Sequence, residues 1–274
     1  MIRVKLIGGL GNQLFQYACG RALAEDLGVK LVLDITDFAT YDLRLPLISQ
    51  FPMSSRVVFH TNIKQTKIWD LRAKLLGHWY KEKNLRYDEN VLCFNSPKTL
   101  RGYFQSERYF KRHAELIRSE LEISSSKALE LRAIYGSGPV AALHFRKGDY
   151  VGNSSFGECG ETYYRNGMNF LRAIYPDIKF IAFTDDRNWF LSETSISEEV
   201  ILASGPNLTD LDEFSLMQSC DHFVIANSSF SWWAAWLSNN ASKKVIAPKP
   251  WFDDQKYDVS TMTPVDWYEF PKAG

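Results

Sequence analysis

An α/β chain of two Rossmann-like units is the architecture this sequence predicts, and three stretches predict it. The first 34 residues hold an apolar run, a glycine-rich break, a helical pattern and a second apolar run. From residue 139 onward, short apolar runs alternate with helical ones. Between these regions, residues 124–127 and 136–139 concentrate turn formers, as a crossing between units would. Strands alternating with helices give parallel, doubly wound sheets, so units spanning residues 1–136 and 137–274 are expected.

Residues 2–7 read as the first strand, broken by Gly8, Gly9, Leu10, Gly11 and Asn12. From Gln13, apolar Leu14, Tyr17, Ala18, Ala22 and Leu27 follow helical spacing, and Gly28 closes the helix. Residues 29–33 are the next strand, ending at Asp34. A G-x-G-x-x-G dinucleotide fingerprint would need glycine at position 10, which is leucine, so NAD and FAD are disfavoured. The glycines still allow close backbone approach, and the helix N-terminus presents free N–H groups.

Residues 40–135 carry fewer signals, with helical character at 69–76 and 107–121. Seven cations (Lys64, Lys67, Arg72, Lys74, Lys81, Lys83, Arg86) are interleaved with Trp69, Trp79 and Tyr80. That composition suits peripheral contact with a membrane surface or a lipid-linked acceptor. A solvated helical face is the favoured reading.

In the second unit, residues 140–143 form a buried strand that empties into His144, Arg146, Lys147, Gly148 and Asp149. Ligands bind at the carboxyl ends of such strands, and arginine grips phosphate oxygens in pairs. Residues 179–183 are a strand ending in Thr184, Asp185 and Asp186. Residues 200–203 are another, and 210–220 a helix. The strand at 222–226 runs into Asn227, Ser228 and Ser229, then a helix at 230–237 holding Ser231, Trp232, Trp233 and Trp236; a last strand follows at 245–247. The Asn-Ser-Ser turn suits either a helix cap or a phosphate cradle. The tryptophans read as core. Adjacent Asp185 and Asp186 do not readily converge on one ion, so no metal site is expected.

Lys and Arg total 32, as do Asp and Glu, which argues against a nucleic-acid binder with a basic face. An apolar fraction of 45% is that of a soluble globular protein. The four cysteines lie far apart, without metal-site spacing, and no apolar run approaches the roughly 18 residues of a membrane span. Nothing at the N-terminus reads as a signal peptide. A cytoplasmic protein is expected, at most touching the inner face of a membrane.

HFRKGDY, residues 144–150, resembles the H-x-R-x-G-D-Y motif of the α-1,2-fucosyltransferases, glycosyltransferase family 11. The G-G-L-G-N-Q loop at 8–13, the T-D-D turn at 184–186 and the S-S-x-S turn at 228–231 match in the same order. The resemblance implies a bacterial, GT-B-like enzyme whose two parallel sheets face a central cleft. It implies metal-independent, inverting transfer of L-fucose from GDP-fucose to O2 of a galactose, in an O-antigen or similar glycan. No cofactor is implied. By the same resemblance, His144, Arg146, Asp185, Asn227, Ser228, Ser229 and Ser231, with Gly9 and Gly11, bind the donor, Asp185 at its nucleoside, while Asp186 caps the following helix. Arg146, Asp149 and Asn12 are the catalytic candidates. The general base stays open among Asp149, Glu158 and Glu161, with Asn12 assisting. Another nucleotide-sugar donor or linkage, or a non-catalytic carbohydrate-binding relative, is the alternative.

Overall fold

A computed structural model describes residues 1–40, 45–136, 138–148, 152, 155–205 and 207–272. Two units emerge, each with one wholly parallel sheet. The first comprises Met1–Glu122 and Lys256–Pro264, the second Ile123–Gln255 and Val265–Gly274.

In the first unit, β1 (Ile2–Lys5) lies central in the order β3-β2-β1-β5-β4. Its neighbours are β2 (Leu31–Asp34) and β5 (Lys98–Arg101); β3 (Val57–His60) and β4 (Trp79–Lys81) form the edges. Helix α1 (Leu10–Asp26) buries fourteen of its seventeen residues, as expected of a helix apolar nearly all round. It starts three residues earlier than its apolar spacing predicts. Gly9 is extended at φ −73° and ψ 175°, so the helix begins directly after it and takes in Gly11 and Asn12. The helix and sheet meet closely at Gly20, where a Cβ would stand 2.3 Å from Val4. The two basic residues of β1 are buried, not solvated. Arg3 and Lys5 pair with Asp34 and with Asp70 of α2 (Ile63–Leu75).

In the second unit the order is β11-β10-β9-β6-β7-β8. Central β6 (Val140–Phe145) is buried at all six residues, as a strand covered on both faces must be. It is flanked by β7 (Lys179–Thr184) and β9 (His222–Val224), then by the short β8 (Ile201–Leu202), β10 (Val245–Lys249) and β11 (Tyr268–Pro271). Ala141, Leu143 and Phe145 pack into one core with Tyr163, Tyr164, Met168 and Leu171 of α5 (Glu161–Ile174).

The units part after Glu122, not after residue 136. The reason is long-range polar bonding. Ser125 donates to Asp212, and Arg132 of α4 (Ser126–Ile134) donates to Asp221, so this helix belongs to the second sheet. Near its C-terminus the chain returns to the first unit, where Ser106 donates to Thr261 and Asp258 N–H to the Asn84 carbonyl.

Candidate functional site

In the second unit the chain winds outward from β6 through β7 to β8, then returns to the other flank through β9. The switch point therefore lies between β6 and β9, the place where open α/β sheets bind ligands. His144 ends β6 there and is 6% exposed. Burial, then the neighbouring Arg146 charge, lowers its pKa to about 3, so the imidazole is neutral. Its Nδ1 has no hydrogen-bond partner among the described residues. Such an orphaned buried polar atom is uncommon and calls for a ligand group.

Arg146 follows. Its Nη1 lies 2.7 Å from Asp185 Oδ2, at the end of β7, while the Lys147 backbone N–H donates to Asp185 Oδ1 at 2.8 Å. Asp185 thus aims the guanidinium with one oxygen and holds the turn with the other. A Cβ at Gly148 would stand 2.4 Å from Asp185 Oδ2, so a larger residue would have to push that carboxylate from its place beside Arg146. Asp186 diverges to cap α6 (Arg187–Glu193), accepting from Trp189 N–H at 2.9 Å. The two aspartates therefore do not form a chelating pair.

The other motif cation is committed elsewhere. Lys147 pairs with Glu158, and its Nζ lies 3.9 Å from the Trp189 ring centre. Glu161 accepts from Thr194 and Arg165, and its pKa is lowered, chiefly by the Ser195 hydrogen bond. Both glutamates are thus engaged in holding their own surroundings. Asp149 lies outside the described residues.

Across the switch point stands the turn into α8 (Ser229–Leu237). Ser228 is its N-cap, accepting from Phe230 N–H at 3.3 Å, and Ser229 is half-buried in the first turn. Two neighbouring residues have structural tasks instead. Asn227 is 1% exposed and donates to the carbonyls of Phe156, Gly157 and Trp251, each at 3.0 Å. Ser231 is wholly buried and donates back to Ser228 O. Trp232, Trp233 and Trp236 are core, as expected.

Several supporting residues escape sequence reading. The Tyr164 hydroxyl donates to the His144 carbonyl at 2.8 Å, and Tyr163 donates to that of Ile225, so α5 pins the ends of β6 and β9. Phe230 packs between His144 and Phe214. Glu213, on α7 (Asp210–Gln218), has its pKa raised to about 7 by burial, against a Ser204 hydrogen bond and with Asp210 adding to the rise. The tyrosines had a faint signal, as aromatics on the inner face of a strongly amphipathic helix.

The first unit has its own switch point, between β1 and β5. Gly8 has φ +79°, and a Cβ there would stand 2.7 Å from Asn12 Nδ2. Gln13 and Gln16 are fully buried and staple the turn, donating to Gly8 O and Ile7 O. Gln105, which follows β5, donates to Asn12 Oδ1 at 2.7 Å. This bond holds the Asn12 carboxamide in place at the start of α1. Beneath the Gln105 loop, Glu82 accepts N–H bonds from Tyr103 and Phe104 at 2.6 and 2.9 Å. Phe104 is held at φ +54°, uncommon for a bulky residue and maintained by those bonds. Burial raises the Glu82 pKa to about 7, against the lowering by both N–H donors. Gln105 and Glu82 are 93 and 70 positions from Asn12, and no local pattern announces them.

A family model described as glycosyl transferase family 11 matches residues 1–269. Alpha-1,2-colitosyltransferase of Escherichia coli is 30% identical over 292 residues, covering 99% of each chain. Galactoside alpha-(1,2)-fucosyltransferase 1 of Rattus norvegicus is 25% identical over 247 residues, covering 84% of this chain and 62% of that protein. Among solved structures, NodZ alpha-1,6-fucosyltransferase soaked with GDP-fucose matches with a TM-score of 0.52 at 14% identity, over 86% of this chain and 92% of that one. This likeness concerns the fold, which is of the GT-B type expected from the motifs. No helix among the described residues is long and apolar enough to cross a membrane.

Proposed function

This chain belongs to glycosyl transferase family 11, and on that premise we propose that it transfers L-fucose from GDP-fucose to O2 of a galactose residue in a glycan. The observation that carries this reading is Arg146 at the second switch point, beside a neutral His144 and the N-terminus of α8. These three features suit a nucleoside diphosphate. The guanidinium presents a planar fork of donors to phosphate oxygens, the helix start offers N–H groups, and the orphaned Nδ1 awaits a partner.

In the proposed step the acceptor O2 attacks C1 of the sugar while the bond from C1 to the β-phosphate oxygen breaks. The electron pair leaves with GDP, and the acceptor proton passes to a base. Negative charge grows on the diphosphate, so contacts from Arg146 and the Ser228–Ser229 turn strengthen toward the transition state. Attack opposite the leaving group inverts C1. Asp149 is the proposed base, since Glu158 and Glu161 are engaged elsewhere. Asp185 is a positioning residue acting through Arg146, in place of the nucleoside contact expected from the motif. Asn12, held by Gln105, is the proposed positioning residue on the acceptor side. Because Asp185 and Asp186 diverge, we place the chemistry on side chains without a divalent ion. We also place the enzyme in the cytoplasm, with its acceptor on a lipid carrier.

The colitosyltransferase relative favours one second reading, transfer of colitose, the 3-deoxy counterpart of L-fucose. A GDP-release assay separates them, using GDP-fucose and GDP-colitose with a panel of galactosides, with and without EDTA. Galactose-dependent GDP release from GDP-fucose, unaffected by EDTA, is expected. Release from GDP-colitose alone selects the second reading. Loss in EDTA with recovery on Mn²⁺ overturns the metal-free step, and no release from either donor overturns both readings.

A further inference from the structure

We propose that the outward face of α2 is a docking surface for an anionic lipid bilayer, a role distinct from the transfer chemistry. The helix turns Thr66, Trp69, Asp70 and Ala73 toward its own unit, at helical spacing. On the opposite face stand Ile68, Leu71 and Leu75, exposed by 53, 60 and 76%, with Leu76 following at 67%. A water-facing helix ordinarily shows the reverse, polar side chains outward and aliphatic ones inward. Single exposed leucines need no explanation, but three in line on one helical face do. The proposal therefore departs from the solvated helical face favoured by the sequence.

Charge identifies the occupant. Residues 56–86 hold eight Lys and Arg but only two acids, in a chain whose net charge is zero. Both acids point inward. Asp70 pairs with Arg3 and Lys5, and Glu82 accepts the two backbone N–H groups of its loop. Lys64, Lys67, Arg72 and Lys74 are all exposed and pair with no carboxylate among the described residues, so cations border the aliphatic stripe. At its C-terminal end the stripe adjoins a cavity of about 160 Å³, lined in part by Trp69, Ala73 and Leu76 with Arg72 and Lys98.

A bilayer interface satisfies both halves of this pattern. Aliphatic side chains enter the acyl boundary, while lysine and arginine reach lipid phosphates. A second copy of the chain would meet the same ring of cations and be repelled. A protein partner would have to be both acidic and aliphatic, with no hydrogen-bonding group on the stripe to orient it.

The test uses the full chain without donor or acceptor, so its failure would leave the transferase reading standing. Co-sedimentation is measured with vesicles of phosphatidylcholine alone and of phosphatidylcholine mixed with phosphatidylglycerol. Binding is expected on the anionic vesicles and should weaken as salt rises. The pair Leu71→Ser/Leu75→Ser and the pair Lys67→Glu/Lys74→Glu should each lower vesicle partitioning at least about 10-fold. Circular dichroism should stay unchanged, because these side chains face outward. Absence of binding to anionic vesicles, or binding by either variant as strong as that of the unsubstituted chain, overturns the proposal. So does leucine-dependent dimerisation without vesicle binding, which would assign the stripe to a second copy.

Discussion

Both units end a central strand at a switch point, yet the two strand ends are surrounded by different materials. The turn after β1 is lined by neutral amides, with Gln13, Gln16 and Gln105 holding Gly8, Ile7 and Asn12. The end of β6 is ionic, with Arg146 locked to Asp185 beside a neutral imidazole and a helix N-terminus. Amides orient hydroxyl groups without stabilising a full charge, whereas a fixed guanidinium stabilises an anion. On the proposed reading, the two switch points thus serve different halves of a transfer reaction: a neutral acceptor and a charged leaving group.

Four perturbations can break or sharpen that contrast. The largest effect is expected from Asp149→Asn, which keeps size but removes the proposed base. Turnover should fall by roughly 10²–10⁴ with GDP affinity nearly unchanged. Equal losses in both would make Asp149 a support for the arginine. Next is Arg146→Ala, which should lower kcat by at least ~10²-fold, with Arg146→Lys recovering little for want of the planar fork. Lys147→Ala is the comparison, milder because Lys147 already serves Glu158 and Trp189. A larger loss at Lys147 in steady-state assays would transfer the leading role to it.

In the amide-lined unit, Gln105→Leu should lower kcat/KM for the acceptor by about 10-fold, the range of a lost neutral hydrogen bond. The donor KM should not move. A shift in donor KM instead would contradict the division of labour.

The smallest effects concern pH and have opposite signs at two buried residues, Glu82 and His144. Glu82, raised from 4.5 to about 7, contributes stability present below about pH 4.5 and lost as pH rises through about 7. His144, lowered from 6.5 to about 3, contributes stability present above 6.5 and lost as pH falls toward 3. Each contribution is of the order of a few kcal/mol. In Glu82→Gln the opposing slope is removed, so Tm should rise more steeply between about pH 4.5 and 6.5 than in the unsubstituted protein. An unchanged Tm profile would mean that Glu82 ionises as freely folded as unfolded.

What the sequence disclosed follows from how local each signal is. β6 was legible because both its faces are buried, so residues 140–143 read as a core strand, while polar His144 hid its last two positions. The Asp186 and Ser228 caps were legible because capping is settled within three residues. The edge strands β3 and β4 were not, being short, half-exposed and mixed with polar residues. The unit boundary was misplaced because α4 is assigned by contacts with Asp212 and Asp221, some 90 positions away. For the same reason Asn12 was visible in its glycine loop while its partner Gln105 was not. Asn227, read as a donor contact, proved to be a buried bracket for three carbonyls, a task set by chain segments remote from it.

The central claim, that the charged switch point rather than the amide-lined one holds the diphosphate, is tested most directly by calorimetric titration of GDP. Three proteins are compared: the unsubstituted chain, Arg146→Ala and Asn12→Ala. The account predicts that GDP affinity falls by about 10-fold or more in Arg146→Ala, the worth of a lost charge-assisted hydrogen bond, and stays within about twofold in Asn12→Ala. Unchanged affinity in Arg146→Ala, or an equal loss in Asn12→Ala, would contradict it.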